Sequence, residues 1–152
     1  MELINYNEFA KLRLHQFEPS AERWEACEDD SADLEFMDSL WFDQDSVPSV
    51  EFLRHQDEPD RVGAICLNLN CEPPELATRI LAAIRLPLRR GMSLEELTKL
   101  LGPSHESVGG YDFMCGVTDS YLVRCGLHPD GRLNIVEIIR KDLLPEGLWK
   151  TV

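Results

Sequence analysis

Gly91-Met-Ser-Leu-Glu-Glu-Leu-Thr-Lys-Leu-Leu-Gly-Pro103 carries both ends of a short helix in thirteen residues. Ser93 takes the N-cap position, and Glu96 follows three residues later. At that spacing a hydroxyl and a carboxylate can each satisfy an orphan backbone donor. Met92 before the cap and Leu97 in the second turn form a hydrophobic staple. Gly102 supplies a left-handed stop and Pro103 bars continuation. The chain beyond Pro103 alternates with period two, so this helix introduces an antiparallel sheet and predicts an α+β fold. Capping and packing account for its residues, and none supplies a chemistry.

In Tyr111–Val117 the odd positions are Tyr111, Phe113, Cys115 and Val117; in Ser120–Leu127 they are Tyr121, Val123, Cys125 and Leu127. All eight are apolar, so both strands turn odd positions to one core face. A two-residue hairpin would pair odd with even, so the pattern selects an odd-length loop around Thr118–Ser120. His128-Pro-Asp-Gly-Arg132 reads as a three-residue hairpin, with Pro129-Asp130 in a type I turn and Gly131 left-handed. This register pairs Phe113 with Cys125, Leu127 with Leu133 and Cys125 with Ile135. The result is a three-strand meander ending near Arg140.

Working back from the helix, Pro73 and Pro74 suit a helical first turn, and Leu76, Ile80 and Ile84 line one face of a helix over Glu75–Arg85. Arg61–Asn70 runs apolar through its middle, as a buried strand does. Ser46–Ser49 and Gln56–Asp60 are loops. Phe9–Phe17 alternates in part and predicts a first strand. Ser20 caps a short helical piece containing Trp24 and Cys27. A second helix spans Ser31–Phe42, with Leu34, Met37, Leu40 and Trp41 at spacings of three and four. No internal repeat or low-complexity segment stands out, and 152 residues make one domain. Residues 1–60 form an acidic N-terminal segment and 61–152 a helix-and-meander core.

The net charge of −13 is concentrated. Between Glu18 and Asp60, 15 acids meet only Arg23 and Arg54; outside that window acids and bases balance at 13 each. An acidic chain argues against nucleic acid, whose phosphates need a basic surface. It suits a basic protein partner steered by charge, or simply a solvated face. No apolar run approaches the length of a membrane span. Met1–Glu8 lacks the basic start and apolar stretch of a signal peptide, and five irregularly spaced cysteines make no disulfide framework. These features predict a reduced, cytoplasmic protein off the membrane.

Candidate chemistry is sparse. On the register above, Cys115 lies diagonal to Cys125, too far for a disulfide. Cys66 and Cys71 form no zinc knuckle, and Cys125-Gly-Leu-His128 lacks a second ligand pair. Glu28–Asp33 lacks the alternating oxygen ligands and central glycine of a calcium loop. His15, His55, His105 and His128 are scattered, Gly109-Gly110 suits a turn, and nucleophile elbow and phosphate loop are absent. No cofactor or metal is expected. Glu137 falls on the apolar face opposite Val123, where an ionised carboxylate is costly. It is either a pocket carboxylate of raised pKa, or a residue that a bulge or the sheet rim returns to water. Val136 and Ile138, on the alternate face, favour the second.

Leu88–Pro103 followed by strands resembles the "GM(T/S)xxEVxxxLGxP" helix of the SmpA/OmlA lipoproteins and β-lactamase-inhibitor-protein-like domains. The resemblance covers Leu86–Arg140, about a third of the chain. It implies two short helices against one face of an antiparallel sheet, and a role in binding other proteins. The chain has no lipid-attachment cysteine, so an envelope role is not implied, and no partner-contact residue transfers.

The sequence therefore predicts a small protein-binding module, of immunity or inhibitor type, with an acidic recognition surface. Asp29, Asp30, Phe36, Asp38, Trp41 and Asp43 are the candidate partner-binding residues, acids for steering and aromatics for anchoring. The alternative is a small enzyme or ligand-binding protein, with a pocket between the sheet and the N-terminal segment. No sequence pattern specifies an oligomeric state.

Overall fold

In the computed structural model, residues 3–19, 24–25, 34–40, 50–55, 58, 60–70, 74–102, 104–106, 112–117 and 121–143 are described. Helix α1 (Tyr6–Ala10) and a 3-10 turn (Leu14–Gln16) precede strands β1 (Trp24–Glu25), β2 (Leu34–Leu40), β3 (Val50–His55) and β4 (Val62–Asn68). Helices α2 (Pro74–Ala83) and α3 (Leu94–Leu101) follow, then β5 (Ser104–Glu106), β6 (Asp112–Val117), β7 (Tyr121–Leu127) and β8 (Leu133–Arg140). A 3-10 turn over Lys141–Leu143 closes the described chain.

The fold is α+β, built on one antiparallel sheet of order β1-β2-β3-β4-β8-β7-β6-β5. Each set of four consecutive strands is a meander, and the last strands of the two sets, β4 and β8, pair at the centre. The expected C-terminal meander is thus half of a larger sheet. One residue drops out of the pairing in β2, at Met37, and in β4, at Gly63, and β8 does the same at Asn134. The β6–β7 register also shifts, between Met114 and Val117. Such irregularities bend the strand that carries them and increase its twist.

The helices cover one face. Phe9 of α1, Leu76, Ile80 and Leu81 of α2, and Leu97 of α3 join Val50, Phe52, Ile65, Leu67, Val123, Cys125, Val136 and Ile138 in one buried cluster. Each large apolar side chain removed from water contributes roughly 1.5–3 kcal/mol before entropy is counted. Ser93 caps α3, its hydroxyl accepting from the Glu96 N–H at 3.2 Å. Met92 and Leu97 are both buried in the same cluster, as a staple requires. The Glu96 carboxylate lies 3.7 Å from Arg89. Gly102 ends the helix at φ 95°, but with an extended ψ of −173° rather than the left-handed helical one.

Helix α2 ends on Arg85, which takes φ 61°. The Arg85 and Leu86 N–H groups donate to Ala82 and Leu81 at 3.1 and 2.9 Å, a Schellman arrangement with arginine where glycine is usual. The 128–132 turn forms as expected. The His128 N–H donates to Arg132 and the Gly131 N–H to His128, both at 2.8 Å, with Gly131 at φ 83°.

The N-terminal third corrects three expectations. Phe9–Phe17 is not a strand: Asn5 caps α1 in a reciprocal box with Glu8, and a 3-10 turn follows. The Ser20 piece is not helical at Trp24, which pairs with Leu40 as part of β1. The helix over Ser31–Phe42 is instead strand β2 over Leu34–Leu40, in six register pairs with β3. Its spacing of three arises because Met37 is skipped, so Leu34, Phe36, Asp38 and Leu40 do not form one continuous alternation. Of the predicted turns, Ser46–Ser49 and Thr118–Ser120 lie outside the described residues, as do Pro73 and Pro103.

Candidate functional site

The sheet face turned away from the helices carries a polar row across its four central strands, β3, β4, β8 and β7. By register it runs Glu51, Cys66, Glu137 and Arg124. Its neighbours along these strands, Val50 and Phe52, Ile65 and Leu67, Val136 and Ile138, and Val123 and Cys125, are buried in the helix-side core, which fixes the row on the opposite face. Beside it lies an apolar row, in register order Leu53, Ala64, Ile139 and Leu122. Leu53, Ala64 and Ile139 form a second, smaller buried cluster, and Leu122 is buried as well.

The middle of the polar row holds its electrostatics. Arg124 Nη2 lies 3.2 Å from Glu137 Oε2, and the carboxyl side chain is 19% exposed. Cys66 sits between Glu51 on β3 and Glu137 on β8. Burial pushes its thiol up to about 12, the two carboxylates push it the same way, and Arg124 opposes them. A thiol so held stays protonated near neutrality and is a poor nucleophile.

This placement corrects the register drawn from sequence for β8. Because Asn134 is skipped, Cys125 faces Val136 rather than Ile135, and Val123 faces Ile138 rather than Glu137. Glu137 therefore leaves the apolar face and meets Arg124. Phe113 does pair with Cys125, and Leu127 with Leu133. Cys66 and Cys125 form no disulfide among the described residues.

Of the six predicted partner-binding residues, two are described. Phe36 and Asp38 lie on β2, either side of the skipped Met37, and register places Phe36 with Leu53 and Asp38 with Phe52. They therefore share a strand but not a face, unlike the single helical surface expected of them. Asp29, Asp30, Trp41 and Asp43 lie outside the described residues. Among the described residues, no group of three His, Cys, Asp or Glu is arranged to hold a metal ion. No helix among them is long and apolar enough to cross a membrane.

Sequence reasoning overlooked two tethers. Arg140 is 3% exposed and grips Asp142 with two bonds, at 3.1 and 2.6 Å. It also donates to Val62 O at 3.3 Å and to Glu58 at 3.4 Å, tying the end of β8 to the start of β4. Its position, two and four residues beyond Ile138 and Val136 on the core-facing alternation, was the available signal. The Tyr121 hydroxyl is aimed at the carbonyls of Ile4 and Asn5, at 2.9 and 2.8 Å. Nothing in the sequence marks that pairing across more than a hundred residues. No family model matches the chain, and neither the curated proteins nor the solved structures compared with it include a significant match.

Proposed function

We propose that this protein is a small binding module for a basic protein partner, acting from the cytoplasm without cofactor or nucleic acid. The observation that carries this reading is the concentration of acids on three of the eight strands. Glu25, Glu35, Asp38 and Glu51 lie on β1–β3, where Arg54 is the only Lys or Arg among the described residues. Glu25 and Glu51 share one register row, and Glu35 and Asp38 lie outside it. An extended, acid-rich sheet region steers a basic partner during approach, and residues that lose water at the centre of contact hold it. Asp29, Asp30, Trp41 and Asp43, which the sequence adds to the candidate contacts, lie outside the described residues and stay part of this proposal. The enzyme alternative required Glu137 to gather with a histidine or cysteine in a pocket. Glu137 does neighbour Cys66, but the thiol is held protonated and the carboxylate is paired with Arg124, which favours binding over catalysis.

Affinity capture with the immobilised chain at low and high salt tests the proposal. A basic protein should bind at low salt and be released as screening shortens the range of the field. Glu51→Lys should lose that protein, while Glu95→Lys, on the helix-covered side, should keep it. Recovery of no basic protein at low salt, or equal capture by both variants, overturns the proposal.

A further inference from the structure

A cleft of about 250 Å³ opens where the β7–β8 turn meets the connection from α2 to α3. Arg90 lines it from the connection, His128 and Arg132 from the turn, and Asn70 and Asn134 from the neighbouring strand ends. Its floor is fixed. Gly91, at φ 83°, donates its N–H to Leu133 O at 3.0 Å, and its carbonyl accepts from Arg132 Nη1 at 3.2 Å. That bond positions the guanidinium, whose other donors have no partner among the described residues.

Donors outnumber acceptors here. Arg90 makes no hydrogen bond or ion pair among the described residues, whereas Arg89 beside it faces Glu96. Asn134 accepts from the Asn70 amide through Oδ1, and its own NH2 has no partner among the described residues. The single acid, Asp130, is engaged: Oδ1 accepts from the Arg132 N–H at 2.9 Å and lies 3.6 Å from His128 Nδ1. Two arginines from separate elements thus converge beside an amide and an imidazole, in a chain whose net charge is −13.

We propose that this cleft binds the terminal phosphate of a small molecule. A phosphate ester presents three acceptor oxygens and nearly two charges, matching this donor set better than the two oxygens of a carboxylate. A water occupies roughly 30 Å³, so the cleft has room for the organic part of an ester as well. The site goes beyond the partner-binding proposal and uses none of its residues.

Amide chemical shifts of the labelled full-length chain, titrated with glycerol phosphate at constant ionic strength, test it. Saturable shifts should centre on Gly91, Arg132 and Asn134. Arg90→Glu should weaken binding roughly tenfold or more, since a hydrogen bond to a charged group is lost and repulsion is added. Glu51→Lys should leave it unchanged, which separates this site from the partner surface. Absence of saturable shifts at millimolar ester, an unaltered affinity in Arg90→Glu, or an equal response to acetate each overturns the proposal.

Discussion

Arg124 on β7 and Glu137 on β8 stand directly opposite each other, with guanidinium and carboxylate 3.2 Å apart on the face away from the helices. Cross-strand opposition needs no long side chain to search for its partner, which favours the pair over a typical surface contact. Arg124 nevertheless remains 40% exposed, so solvent screens it. Glu137→Gln is expected to cost less than about 1 kcal/mol in urea unfolding. A loss above about 3 kcal/mol would place the pair among buried ones, where removing one partner strands the other.

Cys66 gives a chemical readout of the same row. Its folded thiol ionises only near 12, so the folded state keeps a proton that the unfolded chain releases at lower pH. Stability from this group is therefore complete below the unfolded thiol's pKa and declines as pH rises from there toward about 12. In the native protein at pH 8, alkylation of Cys66 should be slow by peptide-level mass spectrometry, and denaturant should release it. Rapid native alkylation would contradict the burial described.

Tyr121→Phe removes the hydroxyl that reaches the Ile4 and Asn5 carbonyls. The expected cost is about 1–2 kcal/mol, a lost hydrogen bond with a carbonyl left short of its donor. Hydrogen exchange should accelerate first in α1, because the lost bonds hold Ile4 and Asn5, and Asn5 is the N-cap of that helix. Burial also raises the phenol's pKa well above its usual range, so stability supplied by its neutral form is lost as pH climbs past that range. Uniform acceleration across the sheet, with none specific to α1, would argue against the tether.

Two turns predict opposite responses to glycine. Arg85 holds a left-handed conformation at φ 61°, which costs a side-chain-bearing residue roughly 1–2 kcal/mol. Arg85→Gly should raise stability by up to about 1 kcal/mol, after the exposed pair with Glu8 is lost. Gly131 takes φ 83° with nothing within 4 Å of an added Cβ. Gly131→Ala should therefore destabilise by about 1–2 kcal/mol through backbone strain alone. Thermal melts of the two variants shifting in the same direction would contradict this account.

The second half of the chain was legible because its signals are local. Ser93 caps the helix that begins beside it, and Pro129, Asp130 and Gly131 build the turn they occupy. Leu76, Ile80 and Ile84 bury the face their spacing describes. The reading failed where strands are irregular, in β2 of the first half and in β8 of the second. In β2 the skipped Met37 breaks the period-two signal and leaves an apparent spacing of three. In β8 the skipped Asn134 moved Glu137 from the core face to the Arg124 row, and Val136 with Ile138 was the hint. Of the proposed partner surface, sequence supplied the acids; which of them share a strand face came from pairing.

By itself the sequence determined the α+β class, the capped helix, the 128–132 turn and the confinement of excess charge to residues 18–60. Each rests on contacts among residues close in the chain or on composition. Tertiary structure decided the strand order, with β4 against β8, and the polar row from Glu51 to Arg124. It also decided the cleft where Arg90 meets Arg132, and the bonds from Tyr121 to the N-terminus. These depend on residues tens to more than a hundred positions apart, whose register a single skipped residue reverses from one face to the other. No local pattern carries that information, because the energy that selects it appears only when the strands pair and the helices close over one side.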